Sequence, residues 1–152
     1  MTVRAATTER AQRAAVIAAL RAGLGATAVT DLPPDDQALA LDPRLATVIS
    51  VGVVSTADSF DDGPRDGTDG LTSSDLSLTL RVQIISRIRA TEPADSYDEH
   101  LDRGRVVVGV LHGAAPEVQV QTVQGQTTRQ GSHVLTLYTA QVLCRGAFAS
   151  VS

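Results

Sequence analysis

Between Asp75 and Arg89 the chain alternates. Leu76, Leu78, Leu80, Val82 and Ile84 fall on every second position, with Ser77, Thr79, Arg81 and Gln83 between them. Successive side chains of a strand point to opposite faces, so this stretch predicts a long strand with one buried and one wet side. That is the pattern of an antiparallel sheet. The alternation slips at Ile84-Ile85, where a bulge, the end of pairing or a second covered face would each account for it. Ser132 to Arg145 repeats the pattern, with Val134, Thr136, Tyr138, Ala140 and Val142 on one face. Glu117 to Gln126 alternates weakly, and Gly125 to Ser132 reads as a hairpin loop. Leu45 to Ser55 is rich in Val and Ile and predicts another main strand, with Gly52 marking a bulge or a close backbone approach.

Two stretches carry a helical period instead. Val16, Ile17, Leu20 and Leu24 recur at helix spacing after Thr7, Thr8 and Glu9, with Gly23 and Gly25 as stop signals. Ser96 and Glu99 have capping-box spacing ahead of Tyr97, Leu101, Val108 and Leu111, which predicts a helix to about His112 with Gly113 as its stop. The Val106 to Leu111 run makes a strand the competing reading there. Thr27 to Thr30 is a candidate short strand, halted by the Pro33-Pro34-Asp35-Asp36 turn. Ala57 to Ser74 (ADSFDDGPRDGTDGLTSS) has five Asp residues and reads as a long, mobile, solvated loop. The expected fold is α+β, a four-stranded antiparallel (or mixed) sheet with two helices over its apolar face. It is expected as one domain over residues 1–152, with its core between about 11 and 145.

Composition narrows the function. The chain of 152 residues is 43% apolar and only 3% aromatic, so its core must be built from Val, Leu, Ile and Ala. The net charge of −4 argues against a surface that seeks phosphate, and the scattered Phe60, Tyr97, Tyr138 and Phe148 form no base-stacking platform. Sequence-specific nucleic-acid binding is therefore not expected. All 13 basic residues are Arg and lie scattered. No apolar run reaches membrane-spanning length and the start lacks a secretory apolar segment, so a soluble product made in the cytoplasm is expected.

The candidates for chemistry come to little. His100 and His112 are twelve residues apart on one predicted helix, too far to share a metal ion, and His112 suits a helix C-terminus as a charge against the dipole. His133 has no partner constellation. Asp58, Asp61, Asp62, Asp66 and Asp69 are hard oxygen ligands, but Pro64 and Arg65 interrupt them and no calcium-loop frame is met. Cys144, the single cysteine, sits mid-strand as a buried thiol, and neither a phosphate-cradling loop nor a nucleophile elbow occurs. No catalytic residue, metal or cofactor is predicted, and the expectation is a non-enzyme.

The whole order of elements carries a resemblance. The opening RAQRAAVIAALRAGL helix comes first, then DPRLATVISVGVVS runs into an acidic Gly-rich loop. The SDLSLTLRVQIIS strand, the SYDEHLDRGRVVVGVLHG helix and a closing β pair ending at Leu143 follow. In this order, over Ala11 to Arg145, the chain resembles the tail terminator proteins of long-tailed bacteriophages, also called minor tail or tail-completion proteins. It departs from them in the segment Asp31 to Asp42 and in the length of the Ala57 to Ser74 loop. The resemblance implies a structural virion protein at the head-proximal end of the tail. Such a protein forms a homo-hexameric ring that caps the tail tube, stops its polymerisation and offers a docking surface to the neck or head-completion protein. Its partners would then be further copies of itself, the tube protein and the neck protein, and a channel through which DNA slides suits an acidic chain. Asp58, Phe60, Asp61, Asp62 and Arg65 are the expected partner-facing residues. The alternatives are a neck or head–tail joining protein and, from a different class, a small ligand-binding or accessory enzyme domain.

Overall fold

A computed structural model describes residues 2–5, 9–35, 44–61, 73–113 and 118–151. In chain order the elements are β1 (Thr2–Ala5), α1 (Glu9–Leu24), β2 (Thr47–Asp61), β3 (Ser73–Arg87), α2 (Pro93–Gly113), β4 (Val118–Gln130) and β5 (His133–Val151). The fold is α+β. One sheet runs β1-β5-β3-β2, and β4 also pairs with β5. Every strand pairing is antiparallel, while Val29 adds a single parallel bridge beside Ile49. β4 faces residues 133–144 of β5 and β1 faces residues 148–151, so the two occupy one edge of β5 end to end. The sheet thus has four rows built from five strands.

The alternating strand became the centre of the sheet because both its neighbours supply matching apolar rows. Leu76, Leu78, Leu80, Val82 and Ile84 join Ile49 and Val51 of β2 and Tyr138, Ala140, Val142 and Cys144 of β5 in one cluster. Val16, Ile17 and Leu20 of α1 and Val107 and Leu111 of α2 close over it. Each of these larger side chains contributes about 1.5–3 kcal/mol by leaving water. Ile85 explains the slipped alternation: it packs on the opposite face with Val48 and Leu135, flanked by Leu45 and Leu137. The second covered face is the correct alternative, and pairing continues unbulged to Arg87.

Several boundaries differ from expectation. β2 runs on to Asp61 and β3 begins at Ser73, so the outer parts of the acidic stretch are strand rather than loop. The ladder extends through Ser, Thr and Asp positions because β3 offers an aligned partner. The expected Gly125 to Ser132 loop is strand up to Gln130, leaving a two-residue turn in which Gly131 has φ 61°, a hairpin geometry that glycine adopts without strain. β1 was not anticipated; four residues without alternation give no period to detect. The second helix is confirmed as helix, but it begins at Pro93 rather than near Ser96. Pro93 fits a first helical position because its missing N–H is needed least there. Ser96 is therefore no cap: its hydroxyl donates to the Glu92 carbonyl (2.8 Å) and accepts from the Arg89 amide (3.0 Å). In the first helix Gly25, at φ 95°, donates its amide to the Arg21 carbonyl (2.9 Å) and ends the helix as expected. The Thr7-Thr8 cap lies outside the described residues.

Two glycines set close approaches. A Cβ on Gly52 would sit 2.8 Å from Pro34 Cδ, so Gly52 is where segment 30–35 crosses the strand; the bulge lies just beyond it, between Val53 and Ser55. A Cβ on Gly104 would collide with the Tyr138 hydroxyl and lie 3.1 Å from its Cζ. Gly104, a weak helix former, is tolerated because it admits this ring.

Candidate assembly surfaces

His100 is buried, 1% exposed, between α2 and the sheet. Its Nδ1 lies 2.7 Å from Ser86 Oγ and its Nε2 2.7 Å from Thr136 Oγ1. Thr47 Oγ1 donates to Ser86 Oγ (3.3 Å), and Thr127 and Thr136 share a 2.9 Å hydrogen bond. Desolvation, with a smaller contribution from nearby Arg103, lowers the His100 pKa to about 4, so a neutral ring bolts α2 to β3 and β5. Among the described residues its hydrogen-bond partners are hydroxyls, with no carboxylate among them. His112 is exposed, and His133 Nε2 lies 3.2 Å from Gln130 Oε1. Among the described residues no group of His, Cys, Asp or Glu has metal-site spacing. Cys144 is buried, and burial pushes its thiol pKa up. No described helix is long and apolar enough to cross a membrane.

Backbone edges are the larger unused resource. Ile49 exchanges hydrogen bonds with Ala28 and Thr30 across the outer edge of β2, and the Val51 carbonyl there accepts from Arg13 Nε (2.6 Å). Arg13 also reaches the Asp31 carbonyl, and Arg21 binds the Val29 carbonyl and the Asp31 carboxylate, which pins segment 29–31 beside this half of the strand. Backbone groups of an antiparallel strand alternate inward and outward. Carried through the bulge, that alternation turns the N–H and C=O of Val53, Thr56, Asp58 and Phe60 outward. No described strand pairs with them. From Val53 to Ser59 every side chain is also exposed, Val53 at 37% and Val54 at 49%.

On the opposite edge, too, no described strand pairs with β4 from outside. The same parity, traced through β3 and β5, turns the backbone groups of Val123, Gly125, Thr127 and Arg129 on β4 outward. An even number of rows separates the two edges, so β2 and β4 run in opposite directions. A second molecule set beside the first in the same orientation would meet it antiparallel, as within the sheet. Unpaired strand edges are templates for pairing with another chain.

The face opposite α1 and α2 carries a depression of about 920 Å³ bounded by Thr30, Pro34, Leu45, Val48, Ser50, Arg81, Gln83, Leu135 and Leu137. The Ser50 hydroxyl there is buried and has no hydrogen-bond partner among the described residues. Gln83 Nε2 donates to the Asp35 carbonyl (2.8 Å) and holds the wall.

Of the residues expected to face partners, Asp58 is exposed on β2 opposite Leu76; Phe60 and Asp61 occupy the end of that strand, opposite Ser74 and Ser73. Asp62 and Arg65 lie outside the described residues. Sequence reasoning passed over the β4 edge and the groove on the face opposite α1 and α2. Its own signal for the groove was Ile85, out of step with the row before it.

No protein-family profile matches the chain, and no curated protein matches it. Among solved structures, a chain described as "Virion of native gene transfer agent (GTA) particle" is similar, with a TM-score of 0.55 and 17% identity. The match covers 88% of this chain and 94% of that one. At this identity the likeness is one of fold.

Proposed function

We propose that this chain is a structural virion protein, a tail terminator whose subunits close into a ring on the end of a tail tube. Fold likeness to a chain of a gene transfer agent virion, over nearly the full length of both, supports a place in a phage-like particle. The observation that carries the ring is the pair of open edges. β2 and β4 are different surfaces on opposite sides of one sheet, and head-to-tail pairing between unlike patches closes into a ring when the rotation per subunit divides a full turn. Six subunits is the number the sequence resemblance implies. On this reading the tube protein and the neck protein meet the two rims of the ring, and the acidic strand ends of β2 line or border it.

The test is negative-stain electron microscopy of the purified protein, with its mass in solution, alone and mixed with assembled tail tube of the same particle. Six-fold rings, or caps on tube ends that stop further growth, are the expected result. Tubes that elongate unchanged with the protein present, and no rings at any concentration, refute the terminator reading. Binding to the portal side and never to tube would move the protein to the head–tail joining role.

A further inference from the structure

The outer edge of β4 runs beside α2. His100 of α2 meets Thr136, which pairs with Thr127, and a Cβ on Gly104 would strike Tyr138, which pairs with Gly125. Four helical residues therefore pass two strand residues, and α2 stays level with β4. Val106 and Val110 turn to α1, both within 4 Å of where a Cβ on Gly23 would sit. Tyr97, Leu101 and Arg105 follow at four-residue spacing on the flank turned away from α1. Tyr97 is 37% exposed and Leu101 41%. Arg105 is exposed too, and its guanidinium is close enough to Tyr138 to oppose the rise in pKa that burial causes there. The outward N–H and C=O groups of Gly125, Thr127 and Arg129 thus run beside an apolar ledge that ends in a cation.

The ends of the described stretches lie elsewhere. Asp35 and Leu45 meet the other face of the sheet, at Gln83 and Ile85, and Glu9 opens α1, whose Arg13 is bonded to β2. Ala5, Asp61 and Ser73 are level with Phe148 and Ala149 of β5, whereas Val123 faces Ala140, about 30 Å away at strand rise. Gly113 and Val118 border the other end of β4. The unlike edge of a second copy fits the ledge. On β2 and on β4 alike, the residues whose backbone groups turn outward carry their side chains on the face that packs against the helices, as Ile49, Val51 and Val123 show. Pairing the two edges therefore continues the sheet with the helices of both copies on one side. β2 is covered by its own chain as far as Val51 and bare from Val53, where Val53, Thr56 and Asp58 present an apolar group, a hydroxyl and a carboxylate. Neither Asp58 nor Arg105 has an ion pair among the described residues.

We infer that β2 of one copy adds to β4 of the next as a further antiparallel strand, with Asp58 opposite Gly125, Thr56 opposite Thr127 and Val53 opposite Arg129. The bulge between Val53 and Ser55 takes up the extra residue. In this register Val53 and Thr56 lie along Tyr97 and Leu101, and Asp58, above a glycine that leaves it room, pairs with Arg105. Backbone hydrogen bonds alone are indifferent to a slip of two residues, so the ledge and the ion pair are what select the register. The joint is heterologous, as a ring requires, and it rests on the proposed ring only for its biological setting.

The test is disulfide trapping between full-length chains, one carrying a mass tag. Cys144 is 2% exposed and stays out of the reaction. Val53→Cys in one chain and Arg129→Cys in the other, both at exposed positions, are mixed at up to about 1 mM and mildly oxidised. Mixed dimers are expected to form at least about tenfold faster than with Gln126→Cys, whose side chain points to the opposite face. Asp58→Arg or Arg105→Asp alone is expected to slow trapping about five- to tenfold, and Asp58→Arg in one chain with Arg105→Asp in the other to restore it. Equal rates at residues 129 and 126, no mixed dimers at that concentration, dimers from Arg129→Cys alone, or indifference to the charge reversals overturns the joint. The readout needs no ring. Trapping without rings or tube caps would sink the terminator reading alone, and rings or caps that form without trapping would sink this joint alone.

Discussion

His100 gives the sharpest test of how α2 is held. The unfolded chain takes up a proton as pH falls through about 6.5, whereas the folded protein resists until about 4, because the charged ring would be desolvated between α2 and the sheet. The unfolded state therefore binds more protons across that window, and stability must fall with pH. It is complete above pH 7, drops by nearly 1.4 kcal/mol per unit below 6.5, and has lost about 2 kcal/mol by pH 5. Carboxylates add their own acid dependence at lower pH, so the measurement is a difference. Urea unfolding of wild type and His100→Gln is compared at pH 7.5, 6 and 5. At pH 7.5 the variant should be less stable by about 2 kcal/mol, since the Ser86 and Thr136 hydroxyls lose well-placed partners 2.7 Å away. By pH 5 the wild type's advantage should be close to zero. A gap that stays constant from pH 7.5 to 5 would refute a neutral buried ring, and a gap that widens in acid would reverse the sign of the argument.

Other outcomes follow from packing. Gly104→Ala should destabilise by about 1–2 kcal/mol, because overpacking against Tyr138 outweighs the gain in helix propensity; Tyr138→Phe, which removes the colliding hydroxyl, should make the two changes strongly non-additive in a thermal-melt cycle. Gly52→Val should push Pro34 off β2 and make segment 30–35 a site of rapid limited proteolysis, while Gly109→Ala, with open space around it, should leave the digestion pattern unchanged. Ile85→Ala should cost about 2–4 kcal/mol in chemical denaturation despite lying on the face opposite α1 and α2, since the residue is fully buried. The Cys144 thiol should react with a disulfide reagent only as fast as the protein opens, because it is 2% exposed and its pKa is raised by burial.

The sequence by itself determined the elements whose periods are long and clean. Leu76 to Ile84 and Val134 to Val142 name their buried faces because side chains alternate strictly, and Val16, Ile17 and Leu20 name theirs at helix spacing. Tertiary structure decided what no local period carries. Whether Ala57 to Asp61 is strand or loop depended on β3 lying beside it, because Ser and Asp have no preference strong enough to decide alone. β1 exists only because the far end of β5 leaves room on the edge that β4 vacates. Ser96 lost its capping role because Glu92-Pro93 began the helix a turn earlier. Arg81, Ser50 and Leu135 are far apart in the chain and became one groove only when three strands were set in register. Edges and grooves are relations between strands, and a period along one strand cannot encode them.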